Sequence, residues 1–207
     1  MEKKEILRYH KGIKQNLMDS IANEHIIKLF INEKEILSFA TFPLNMNELV
    51  IGFLFSEGII SSLDDIVSYK HLKKANKYHI NVTNEKVNLN LPTLTSGCAK
   101  GKTFTELGDI DPTKDRLFNF TIFLKSEDVT ELMREFQNKS TIFNETGAVH
   151  IAALASTREI KYYYEDIGCH NAIDKVLGKA LLDKTSLEDK MLFTTGRISS
   201  EIISKTC

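Results

Sequence analysis

The residues best suited to chemistry are a cysteine in a loop and two polar turns. Cys98 stands in Thr93-Leu94-Thr95-Ser96-Gly97-Cys98-Ala99-Lys100-Gly101-Lys102, with a glycine before it and two lysines close behind. Nearby cations favour a thiolate, and a thiolate in a glycine-flanked loop can accept sulfur as a persulfide and carry it to a second site. Taken alone, the same residue reads more readily as an inert surface thiol. Cys169 falls where a helix should start, so it is either activated by the helix N-terminus or simply small enough for a tight turn. With Cys207 the cysteines number three, an odd count with no C-x-x-C pair. That excludes a disulfide framework and the usual zinc spacing.

The second centre is read from two turns, Asp166 to Asn171 and Thr194 to Ser199. Each follows an expected strand and precedes an expected helix, an arrangement that collects ligands at the carboxyl ends of strands. Gly196 permits close backbone approach, Arg197 supplies a guanidinium, and Ser199 opens a helix with free N–H groups. Together they suit a phosphate or pyrophosphate. The plainer alternative is a glycine turn beside a solvated arginine. His150 and His170 fall near the same edge, with Asp166 and Asp174. Each histidine alone is more often structural than functional, and Asp174 doubles as a partner in a helix cap.

The elements that position these groups follow from periodicity. Ile26 to Ile31 and Ile36 to Phe42 flank a polar turn and read as a hairpin. A helix beginning near Asn45 or Asn47 carries Leu49, Val50, Phe53 and Leu54, with Gly58 as its C-terminal cap. Residues 77–91 alternate as a second hairpin through Tyr78, Ile80, Val82, Val87, Leu89 and Leu91, and a strand is expected near Leu117 to Leu124. Ser126 should cap a helix with Val129, Leu132, Met133 and Phe136 on its apolar stripe. Tyr162 to Ile167, a helix from Asn171, Lys190 to Thr195 and a helix from Ser199 imply two parallel strands with a right-handed crossover. Two segments are expected, a β-rich 1–112 with one helix and the Cys98 loop, and an α/β core over 113–207. The last helix has barely two turns, so the chain is expected to stop short of its natural domain end.

The 207 residues are 42% hydrophobic, enough for one sizeable core. The net charge of −1 gives no field that would select nucleic acid or an anionic membrane. The N-terminus has no apolar run resembling a signal peptide, and no later stretch is long enough to span a bilayer, so a cytoplasmic protein is expected.

At these motifs the chain resembles the FdhD family of formate dehydrogenase accessory sulfurtransferases. The matching pieces are Asn47-Glu48-Leu49, Gly52 to Ile60, Thr95-Ser96-Gly97-Cys98 and Thr146 to His150, followed by Glu165 to Lys175 and Thr195-Gly196-Arg197-Ile198-Ser199. They occur in the family's order from about residue 24 onward. The resemblance implies a persulfide carrier that takes sulfur from a cysteine desulfurase onto Cys98. It then delivers that sulfur to the bis-guanine-dinucleotide molybdenum cofactor, a transient substrate and not a resident group, for formate dehydrogenase. It further implies a homodimer with a three-layer α/β fold like that of the cytidine deaminases plus an added β-rich segment. His150, His170, Gly196, Arg197 and Ser199 map to the cofactor side. The chain departs from the family at Gly101, where many members have a second cysteine, which rules out a two-cysteine relay. It departs again at Cys169, where an arginine is usual, and the family pattern continues beyond the last helix.

Two other functions compete. A zinc nucleobase deaminase needs H-x-E and P-C-x-x-C, whereas His150 is followed by Ile151-Ala152 and no C-x-x-C occurs. A non-catalytic molybdenum-cofactor chaperone is compatible with the single loop cysteine. It differs in that it should tolerate loss of Cys98.

Overall fold

A computed structural model describes residues 1–84 and 124–206. The Cys98 loop, the return strand expected at 87–91, the body of the strand expected near 117–124 and the segment boundary at 112 all lie outside the described residues.

The first element is a hairpin. β1 (Glu2–His10) pairs antiparallel with β2 (Ile13–Ile21) from Glu2 opposite Ile21 to His10 opposite Ile13. Lys11 and Gly12 close it with φ of 49° and 82°, the left-handed pair that suits the twist of a two-residue turn. Both faces are largely exposed, so neither strand shows apolar alternation.

The second sheet has the order β4-β3-β6-β5. β3 (His25–Ile31) and β4 (Lys34–Thr41) form the expected hairpin around Asn32-Glu33. β6 (Lys77–Val82) runs parallel to β3, and β5 (Ile66–Leu72) adds an antiparallel edge. Ile27, Leu29, Ile31, Tyr78, Ile80 and Val82 point to one face, where they meet Leu49, Val50, Phe53 and Leu54 of α1 (Met46–Ser56). Gly58 follows α1 with φ 66°, as its position after the helix predicts.

The third sheet, β8-β7-β9, corrects the expected parallel pair. β8 (Ile160–Asp166) and β9 (Met191–Thr194) do run the same way, but β7 (His150–Ala155) lies between them and is antiparallel to both. Ile151, Ala153 and Ala155 face α2 (Ser126–Asn138) through Leu132 and Phe136. Ala152 and Leu154 face α4 (Cys169–Leu182). The sheet is thus covered on both sides, giving an α/β/α sandwich. Two cap assignments also change. Ser126 is the first residue of α2, after Lys125 as N-cap, and Asp174 lies inside α4, whose N-cap Gly168 has no side chain to contribute. Between α2 and β7 lies a short helix, α3 (Thr141–Thr146), and the chain ends its described part in α5 (Ser200–Thr206).

α1 crosses α4 at backbone contact. A Cβ on Gly52 would sit 1.7 Å from the Asp174 carbonyl oxygen, and one on Gly178 would sit 1.9 Å from that of Glu48. Any side chain at either position would push the helices apart. This seam joins the β4-β3-β6-β5 layer to the sandwich.

Candidate functional site

The antiparallel ladder brings three chain segments to one sheet edge. His150 at the start of β7 is opposite Asp166 at the end of β8. On the other side, Thr195 just past β9 donates its N–H to Ile151 O at 3.1 Å and accepts from Ile151 N through Oγ1 at 3.0 Å. The two turns read from sequence therefore do converge: Gly196 packs on Cys169, and a Cβ at Gly196 would lie 2.8 Å from the cysteine's own.

Beside this edge opens a cleft of about 660 Å³, large enough for a sizeable small molecule. His150, Ile151 and Thr195 line it from the sheet, Ile167 from the β8–α4 turn, and Gln137 and Phe143 from α2 and α3. Gln137, Phe143 and α3 itself were not legible as site elements. The signal existed locally. Ser140 caps α3 by accepting from Phe143 N at 3.0 Å, and Gly147 ends it with φ 64°.

The charged residues from the end of β8 into α4 divide between two buried clusters. Asp166 is fully buried and ties three segments together. Its Oδ2 accepts from Phe42 N at 3.1 Å and from Thr41 Oγ1, and lies 2.6 Å from Lys175 Nζ. Oδ1 accepts from Gly168 N and Asn171 Nδ2, both at 2.9 Å. Asp166 is a structural tie and not an acid–base group facing the cleft. Burial lowers the Lys175 ammonium pKa, and Asp166 opposes that shift.

The second cluster surrounds Lys205 of α5. Its Nζ is 2.5 Å from Glu57 Oε1, donates to Asp174 Oδ1 and Oδ2 at 3.1 and 3.2 Å, and donates to Ser56 Oγ at 2.9 Å. Burial acts to lower the lysine, but Asp174 and Glu57 outweigh it and hold its pKa above the ordinary value. Burial raises Asp174, with Lys205 opposing. One cation shared between two carboxylates makes both directions compatible. Asp174 is therefore an ion-pair partner, not the helix-cap residue the sequence suggests.

His170 sits between this cluster and Cys169, away from the cleft. Nδ1 is 3.5 Å from Cys169 Sγ, and Nε2 is 3.4 Å from Glu201 Oε2 without hydrogen-bond geometry. Burial and the Lys205 charge lower its pKa, so the ring is neutral near pH 7. Arg197 and Ser199 are exposed in the segment between β9 and α5. Of the expected set, His150 and the Thr195-Gly196 turn share the sheet edge, His170 faces α5, and Cys98 is outside the described residues. Among the described residues no group of three or more His, Cys, Asp or Glu side chains is placed to hold a metal ion, and no helix is long and apolar enough to cross a membrane.

Residues 22–207 match the model of the FdhD/NarQ family. The chain belongs to that family. A relative from Listeria monocytogenes, named Sulfur carrier protein FdhD, is 38% identical over 208 residues, covering 97% of this chain and 78% of the relative. A Wolinella succinogenes protein of the same name is 35% identical over 192 residues, covering 90% of this chain and 66% of its own length. The Bacillus subtilis protein of that name is 31% identical over 206 residues, 98% and 78% of the two chains. A crystal structure from Desulfotalea psychrophila, described as a formate dehydrogenase accessory protein, superposes with a TM-score of 0.73. It is 24% identical and covers 99% of this chain and 78% of its own, which supports the mixed α/β fold. The FdhD/NarQ chain described here thus shares its fold with that accessory protein and its family with sulfur carriers.

Proposed function

We propose that this FdhD/NarQ protein carries sulfane sulfur as a persulfide on Cys98. The sulfur comes from a cysteine desulfurase and goes to the bis-guanine-dinucleotide molybdenum cofactor that serves formate dehydrogenase. The observation that carries the reading is the family match over residues 22–207, with relatives named as sulfur carriers. The site geometry agrees with it. The cleft beside His150 and Thr195 takes a ring system of the cofactor, while Gly196, Arg197 and Ser199 hold a phosphate at the start of α5. His170 faces the thiol of Cys169 and therefore does not touch the cofactor through the cleft. The protein works in the cytoplasm, as a homodimer.

The test is intact-mass and peptide analysis after incubation with a cysteine desulfurase and cysteine. One added sulfur on the Cys98 peptide is expected, and a Cys98→Ala chain should lose both that mass and sulfur delivery. Gly101 at the position of a second loop cysteine favours one other reading, a cofactor chaperone that moves no sulfur. Full maturation of formate dehydrogenase by Cys98→Ala would establish the chaperone and overturn the carrier.

A further inference from the structure

The first turn of α4 holds a thiol for which the function proposed above has no use. Cys169 Sγ lies 3.5 Å from Nδ1 of His170, and behind that ring Glu201 reaches across from α5 to within 3.4 Å of Nε2. Two helices thus build a thiol–imidazole–carboxylate series. Nε2 is fully buried and makes no hydrogen bond. A buried ring nitrogen that makes no hydrogen bond is costly in a resting structure, yet an N–H there faces the Glu201 carboxylate, which stabilises the charged ring once Nδ1 takes up a second proton. Gly196 adds a second, independent feature. A Cβ there would stand 2.8 Å from Cys169 Cβ and 3.5 Å from its sulfur, so only glycine lets the β9–α5 turn pack directly against the thiol.

We propose that Cys169 is a second sulfur-accepting thiol, taking sulfane sulfur from a hydropersulfide with His170 as its base and Glu201 as the group that steadies the imidazole. In the tautomer carrying its proton on Nε2, His170 accepts the thiol proton at Nδ1. The Cys169 thiolate attacks the terminal sulfur of R–S–SH, the donor's S–S bond breaks, and the leaving thiolate takes the proton back from His170. The products are Cys169–S–SH and R–SH, with no net oxidation. The position of the sulfur at the start of the 14-residue α4 favours the thiolate. The lowered pKa of His170 keeps the ring neutral and able to accept a proton. Cys169 is only 5% exposed, so it meets the terminal sulfur of a donor and not the donor's bulk.

A chain with Cys98→Ala and Cys207→Ser isolates this thiol, so the result does not depend on whether Cys98 carries sulfur. Glutathione persulfide is the probe, and peptide mapping reads the mass of the Cys169 peptide. One added sulfur is expected in the folded chain. His170→Ala in the same background should slow its appearance by about 100-fold, the scale of a lost general base, and Glu201→Gln should slow it by a smaller factor. If His170→Ala does not fold, Glu201→Gln decides, because it keeps shape and removes only charge. No sulfur on Cys169, sulfur only in urea, or an unchanged rate in the folded variants overturns the proposal.

Discussion

Replacing Lys205 with methionine would test how the two halves of the molecule are held together. The ammonium is the cation lying between Asp174 of α4 and Glu57 just after α1, and its residue is 9% exposed. Methionine preserves most of the stem but not the ammonium, which also lies over the Phe53 ring with Nζ 5.3 Å from its centroid. What is lost is the charge. Two carboxylates then remain buried without their cation, and removing one partner of such a cluster costs about 3–5 kcal/mol. For a chain of this size each kcal/mol corresponds to roughly 2–4 °C, so the melting temperature should fall by about 6–20 °C.

The pH dependence gives a signature that a simple packing defect lacks. Burial raises the folded pKa of Asp174 above the ordinary carboxylate value. The folded state therefore binds more protons than the unfolded one between those two values, and stability falls as pH rises through that window. Without Lys205 the upward shift grows and the window widens. The deficit of Lys205→Met should thus shrink between pH 7 and pH 5, as measured by urea denaturation at both values. A deficit below about 1 kcal/mol at pH 7, or one unchanged at pH 5, would refute the assignment of Lys205 as the charge that neutralises the cluster.

Three further outcomes are expected. Gly178→Ala places a Cβ against the Glu48 carbonyl and should destabilise by about 3 kcal/mol or more in urea denaturation, since the obstruction is backbone and not a movable side chain. Asp166→Ala strands the buried Lys175 ammonium and should cost about 3–5 kcal/mol, while Asp166→Asn, which keeps one acceptor oxygen for either Phe42 N or Gly168 N, should cost less. Arg197→Ala should leave the melting temperature nearly unchanged, because the residue is exposed. In titration calorimetry it should weaken guanine-nucleotide binding roughly ten-fold, the loss of one charge-assisted contact.

What the sequence made legible follows from which elements have two unlike faces. β3 and β6 pack one face on a core, so their period of two stands out, and Gly58 marks the end of α1. β7 could not be found this way. Five of its six residues are buried because helices cover both sides of its sheet, so His-Ile-Ala-Ala-Leu-Ala has no alternation to detect. The β1–β2 hairpin fails in the opposite direction, being exposed on both faces. Missing β7 is what turned an antiparallel ladder into an expected parallel pair. The expectation that both turns share an edge survived because β8 and β9 do run the same way.

The site divides along the same physical line. Cys169, His170 and Gly196 are near each other because the β8–α4 and β9–α5 turns leave the sheet at one end, a consequence of topology that strand order alone predicts. The roles within the Asp166-to-Lys175 run were not predictable from spacing, because partners 118 to 133 residues away decide them. Ser56 fixes Asp174, Thr41 and Phe42 fix Asp166, and the Phe42 carbonyl fixes Lys175. A helix presents successive residues in different directions, so Asp174 and Lys175 are sent into two separate buried clusters on either side of α4. Once these positions are committed to holding α1, β4 and α5 in place, His170 is the polar residue of that run left with a buried, unbonded ring nitrogen. The reactive assignment in this turn therefore rests on His170 and its neighbouring thiol, and the acidic residues that look most catalytic in the sequence are the ones that hold the fold.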